Sequence, residues 1–279
     1  AAATRLARQL AATTYDAEVA SLLPLVLLHP ARRPSRTRAD GSLVPLSDQD
    51  RGLWRRDLIA EGVAVLQAAL ARDRLGEYQA QAAIAALHAD AQTADETDWV
   101  QIVEWYDELV RLADSPVVRL NRAVAVGEAD GPQAGLAALA ELDPMLPRYT
   151  ASAAYLHERA GDVANALAAI QAALRLLPGD IDVRVGHVRL LALAGRIDEG
   201  RAVLEAVRAA TPDSGTLAMA EGALELAAQR PAEDLVAKAD TEGGSTGAQN
   251  VLHEAHRGIR SCRIARPVGQ EYAVRFERQ

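Results

Sequence analysis

Cysteine is almost absent: Cys262 stands alone in 279 residues. One thiol cannot form an internal disulfide, a thiolate zinc cluster or a CxxC redox pair, and such a chain suits a reducing cytoplasm. Lysine is equally rare, Lys238 being the single copy, so arginine carries nearly all the positive charge. Aromatic residues are 4% of the chain, too few for β-sandwiches or barrels, whose strands favour aromatic and β-branched side chains. Long apolar runs are missing as well. The longest, Val19 to Leu28, is interrupted by Ser21 and Pro24 and falls far short of the roughly 20 residues of a membrane span. No Walker loop, HExxH, GxSxG or dinucleotide fingerprint occurs, which counts against the common enzyme classes. What remains is a chain that is 49% apolar, rich in alanine, with a net charge of −8. Alanine favours closely packed helices, and the negative field repels nucleic acid and anionic lipid.

The second half is ordered by a spacing of 34 residues: Gly161 with Gly195, Val163 with Ile197, Ala166 with Gly200, Ile170 with Leu204, Ala173 with Val207, and Pro178 with Pro212. That is the tetratricopeptide period. Glycine turns the chain between paired helices, the small residue lets helices cross closely, and the aliphatics fill the seam. A weaker copy starts at Ser214, with Leu217 and Gly222 in phase, and fades after Arg230. An earlier one pairs a helix over 116–128 with another over 132–142. The expected fold is therefore all-α, a helical-repeat solenoid of antiparallel helix pairs with a concave face.

Before residue 113 the pattern is helical without the period. Leu6, Leu10, Val19, Leu22, Leu23, Val26 and Leu27 predict two packed helices, the second bent at Pro24. Residues 29–50 hold three prolines and four clustered arginines and read as a long irregular loop with one short hairpin. Ser47 is placed to cap a helix with Trp54, Leu58, Ile59, Val63, Leu66 and Leu70 inward. Further helices are expected over 76–90 and 97–112, the latter with Trp99, Ile102, Val103, Tyr106 and Leu109 inward. The division is thus 1–112, with the loop at 29–50; repeats over 113–240; and a poorly patterned tail over 241–279, with one short helix near 251–260 and little order beyond.

Two polar sets stand out. The loop carries His29, Arg32, Arg33, Arg36 and Arg38, then Asp48, Asp50 and Arg51. Its guanidinium forks match a partner's carboxylate or phosphate bidentately; equally, they can pair internally with Asp40, Asp48 and Asp50. Arg32, Arg33, Arg36, Asp50 and Arg51 are the partner-binding candidates, joined by Trp105, which falls between the apolar positions of its helix. The second set is Gln79, Gln81, His88, Asp98, Asn121 and Arg122, with Gln81 and His88 sharing a helix face. These can line one groove, and an enzyme would use it; the competing reading makes them packing and capping residues. His253 and His256 lie at i, i+3 without an apparent third ligand. No catalytic residue, metal or cofactor is assigned.

Several segments together carry a family likeness: LLHPARRPSRTRADGSLVPLSDQDRGLW over 27–54, IAEG over 59–62, GEYQAQAAIAALHA over 76–89, TDW over 97–99 and SPVVRLNRAVAV over 115–126. In this order they resemble the C-terminal extension of one subgroup of extracytoplasmic-function (ECF) RNA polymerase sigma factors. The resemblance covers roughly residues 5–178. It implies a regulatory and scaffolding part of a transcription-initiation factor, whose partners are sigma regions 2 and 4 of a parent chain and core polymerase. Promoter DNA would be met only through those two regions, neither of which is found between Ala1 and Gln279. A freestanding tetratricopeptide-type adaptor that binds peptides is the alternative, and an enzyme built on the polar groove a third.

Overall fold

The computed structural model describes residues 2–37, 44, 46–72, 75–210, 216–229, 263–265 and 273–275. Fourteen α-helices follow one another among them, α1 Ala2–Thr13, α2 Ala17–Ala20, α3 Leu22–Ala31, α4 Arg33–Arg36, α5 Arg56–Leu70, α6 Glu77–Asp90 and α7 Trp99–Leu112 in the first stretch. Next come α8 Pro116–Ala129, α9 Pro132–Ala140, α10 Tyr149–Arg159, α11 Val163–Leu176, α12 Ile181–Leu193, α13 Ile197–Ala210 and α14 Thr216–Ala228. The protein is a helical-repeat structure, as its composition and period require. Its described residues form two compact units, one holding α1 to α9 and the other α10 to α14.

The first unit is organised around α6, which packs against α2, α3, α5 and α7. Ala80, Ala82, Ala83, Ala85, Ala86 and Ala89 are all buried, so this helix is enclosed on every side. A helix apolar all round must sit inside, and its alanines allow neighbours to approach closely. Leu28, Trp54, Ile59, Leu66, Ile102 and Leu109 complete the core. Local caps fix the helix starts: Asp98 accepts from Gln101 N at α7, and Ser115 from Val118 N at α8. The α6 start is capped from a distance, because the Glu18 carboxylate of α2 accepts from Tyr78 N at 2.6 Å. The α8–α9 crossing is closer than any side chain permits: a Cβ on Gly135 would lie 2.7 Å from Gly127 Cα and 2.9 Å from Ala123 O.

In the second unit the 34-residue period becomes geometry. Gly161 and Gly195 both take left-handed backbone, φ 75° and 71°, where an L side chain is strained. Each ends a helix and starts the next: Asp162 N donates to His157 O, and Arg196 N to Leu191 O, both at 2.9 Å. Ala166, Ile170, Leu204 and Val207 are buried along the seams of these pairs, and α14 closes the described stack with Leu217, Ala220 and Leu224 inward.

Several expectations are corrected. The chain breaks at Ser21, and Pro24 sits in the first turn of α3, where a missing N–H costs nothing; no bend arises there. Leu6 and Leu10 do not enter a core, and α1 buries no residue. It is tied to α5 by a bidentate Arg8–Glu61 pair at 2.6 and 2.7 Å. The loop over 29–50 opens in helix, since α3 runs through Pro30 to Ala31 and α4 follows. Val44 N donates to Arg36 O at 2.8 Å, while residues 38–43 of the loop expected to hold a short hairpin lie outside the described residues. Ser47 falls within a 3-10 turn over Leu46–Asp48 rather than at a helix start. A second such turn, Arg51–Leu53, capped by Asp50, separates it from α5. In the tail, two three-residue strands, β1 Arg263–Ala265 and β2 Ala273–Arg275, pair antiparallel with Ile264 opposite Val274. The helix expected near 251–260, with His253 and His256, lies outside the described residues.

Candidate functional site

The polar loop folds around Trp54. The Arg51–Leu53 turn turns this side chain into the first unit, where it is buried, and its indole Nε1 donates to Ser35 Oγ at 2.6 Å. Two guanidinium groups lie over the ring, Arg51 at 4.8 Å and Arg32 at 5.6 Å from its centroid, within the range of a cation–π attraction.

Arg51 is only 6% exposed. Its Nη1 donates to His88 O and Ala91 O, each at 2.9 Å, and its Nη2 reaches Thr97 Oγ1 at 3.4 Å. It therefore satisfies carbonyls at the end of α6, which a helix leaves without intrahelical partners. Arg32 is half-buried, and its Nε is enclosed without a hydrogen-bond partner. Burial is the main influence lowering the pKa of both arginines; Arg36 and Arg51 add to it at Arg32, and Arg56 at Arg51. The His88 ring meets Trp99 edge to face with centroids 5.2 Å apart. Burial first, then the charges of Arg32 and Arg51, push its pKa down to about 3. His88 is neutral at pH 7, and its buried Nδ1 also has no partner.

The candidates thus separate. Arg32 and Arg51 are drawn inward onto Trp54, whereas Arg33 and Arg36 remain exposed on α4. Asp50 accepts from Gly52 N at 2.8 Å as a cap. Neither expected reading describes Arg51, which donates to two backbone carbonyls and a threonine hydroxyl. Trp105 is corrected outright: at 5% exposure it is a core residue beside Ile102 and Leu109. Its helix buries a broader face than the apolar spacing alone marks, because Glu108, salt-bridged to Arg111, is also buried.

In the second set Gln81, Asp98 and Arg122 are engaged within or between neighbouring helices. Gln79 is fully buried with both amide atoms unpartnered, and Gln81 donates to Glu77 one turn earlier. Asp98 caps α7, Arg122 pairs with Asp107 at 2.6 Å, and Asn121 is exposed. Only His88 joins the Trp54 cluster. Sequence reasoning passed over Trp54 as a platform, together with Ser35 and Thr97. Trp54 was legible as a buried aromatic within a cationic segment; Ser35 and Thr97 carry no signal of their own. Among the described residues no group of three or more His, Cys, Asp or Glu could hold a metal ion, and no helix is long and apolar enough to cross a membrane.

Comparison with known proteins adds two matches. Residues 158–224 match the tetratricopeptide repeat. Residues 1–70, which contain the arginine loop and Trp54, match a family of unknown function (DUF6596). The protein is also similar to the "Uncharacterized protein R00370" of Rhizobium meliloti (strain 1021), with 47% identity over 134 residues. That alignment takes in 48% of this chain and 32% of the relative, so the chain spans about a third of that relative's length. The tetratricopeptide repeats are a protein–protein interaction scaffold, because stacked helix pairs expose an extended surface supported by a continuous core.

Proposed function

We propose that this chain is the C-terminal regulatory and scaffolding part of an ECF-type RNA polymerase sigma factor, working in the cytoplasm through protein–protein contacts and without catalysis of its own. The observation that carries the reading is the ordered series of motifs from Leu27 to Val126. Three further facts support it. The tetratricopeptide match supplies a docking scaffold. The net charge of −8 leaves DNA reading to other domains. The aligned segment is a minor part of its relative, so related sequence occurs within a longer chain.

In this role the helical repeats pack against the sigma module or core polymerase, and the exposed Arg33 and Arg36 meet acidic groups there. Affinity capture of the native polypeptide, with its intact mass and an inventory of co-purifying proteins, tests the reading. RNA polymerase subunits and a mass well above 29.7 kDa are the expected result. A mass near that value with no polymerase subunit refutes it in favour of a freestanding peptide-binding adaptor. In the same assay the pair Arg33→Ala and Arg36→Ala should weaken capture of polymerase while leaving protein abundance unchanged.

A further inference from the structure

Two guanidinium groups lie over one indole without an acidic partner among the described residues. Among the described residues no carboxylate oxygen lies within 4.0 Å of Arg32 or Arg51. The charges that reach them are mainly of their own sign, from Arg36 and Arg56; Glu96 acts on Arg51 more weakly than Arg56 does. Burying a cation unpaired is costly, and natural interiors neutralise it or supply hydrogen bonds. Arg51 has such bonds, to two carbonyls and a hydroxyl. Arg32 does not: its Nε is buried and empty-handed, and the neighbouring His88 Nδ1 is in the same condition.

We propose that Arg32, Arg51 and Trp54 form a binding site for the oxyanion group of a small molecule, a phosphate or a carboxylate. Arg32 supplies the directional donors, since its Nε–H is unused and its residue is half-buried, not fully enclosed. Arg51, tied down by the end of α6, acts as a fixed positive charge that cannot swing away. Trp54 is the platform: its hydrogen bond to Ser35 fixes the ring, and both guanidinium groups lie within 5.6 Å of its centroid. His88 borders the site and reports on it: burial is the first cause of its lowered pKa, and the charges of Arg32 and Arg51, which an anion would offset, add to it. This site is independent of the sigma-factor reading, which a capture experiment tests.

The test is an NMR titration of the full chain, following the His88 imidazole assigned by its loss in His88→Gln. Sodium phosphate and sodium acetate are each compared with sodium chloride at matched ionic strength. Saturable binding of phosphate or acetate is expected at pH 7, where both probes are anionic, read as saturating shifts of the neutral His88 imidazole and of the Trp54 indole N–H. Arg32→Gln and the charge-keeping Arg32→Lys should each weaken binding at least tenfold with the helical circular dichroism unchanged. Arg119→Gln, at an exposed pair with Asp114, should bind like the parent. The proposal is overturned if both salts give only the non-saturating shifts of chloride, or if Arg32→Lys binds as tightly as the parent.

Discussion

Replacing Gly135 by alanine should destabilise the first unit, against the ordinary expectation for a glycine inside a helix. The added methyl brings the helix about 0.8–1 kcal/mol of propensity. It must also occupy a point 2.7 Å from Gly127 Cα and 2.9 Å from both Gly127 N and Ala123 O. All three are backbone atoms of α8, so no rotamer change relieves the clash. Comfortable carbon–carbon contact begins near 3.5 Å, which requires α9 to retreat by roughly 1 Å. Overpacking of this kind costs about 1–3 kcal/mol, leaving a net loss of up to about 2 kcal/mol. The assay is urea unfolding followed by tryptophan fluorescence. Trp54, Trp99 and Trp105 all lie in the first unit with Gly135, so the signal isolates that unit where a whole-chain midpoint would mix two. The midpoint should fall with an unchanged slope. Gly222→Ala in α14 is the control, since its Cβ would meet nothing within 4 Å; circular dichroism should show the second unit stabilised by roughly 0.5–1 kcal/mol. A midpoint for Gly135→Ala equal to or above that of the parent would refute the close-crossing argument.

Acidification should weaken the fold through His88. Its folded pKa, about 3, lies below the ordinary 6.5, so between those values the unfolded chain binds the extra proton and stability drops as pH falls. Melting between pH 7.5 and 5 should therefore decline less steeply in His88→Gln than in the parent. Trp105→Ala should cost about 3–5 kcal/mol in the same fluorescence-detected urea experiment, the range for deleting a buried aromatic; a loss under about 1 kcal/mol would return this residue to the surface. Glu61→Gln should barely move the unfolding midpoint, because an exposed ion pair is worth under about 1 kcal/mol. Because α1 holds no buried residue and this pair adds to its contacts with α2 and α3, its amides should nonetheless exchange faster with solvent, which hydrogen-exchange mass spectrometry can read. Glu18→Gln removes the carboxylate that caps α6 and should lower stability by about 1 kcal/mol, as loss of a cap does.

The residues that set the repeat were legible because each acts on its immediate neighbours. Gly161 and Gly195 permit a backbone conformation that other residues resist, and Asp162 caps its own helix at Asn165 N. Such effects recur wherever the same residues recur, so a period in sequence becomes a period in space. The inward faces of α5 and α7 were readable for the same reason, through Ile59, Val63, Leu66, Ile102 and Leu109. Trp105 and Glu108 were not, because how wide a face becomes buried depends on what packs against it.

The candidate site was legible in composition and not in arrangement. Arginines clustered before a tryptophan announced a cationic segment, yet nothing local said that Arg32 and Arg51 would turn inward while Arg33 and Arg36 stayed out. That choice belongs to partners far along the chain. Arg51 bonds to carbonyls 37 and 40 residues away, and Trp54 to Ser35 across 19. Sequence by itself determined the repeat helices, their glycine turns and local caps such as Asp162, since those follow from propensity, backbone freedom and hydrogen bonds within a few residues. Only the tertiary structure decided which charged side chains were buried, because the cost of burying a guanidinium is offset by carbonyls and an aromatic face that folding alone brings together.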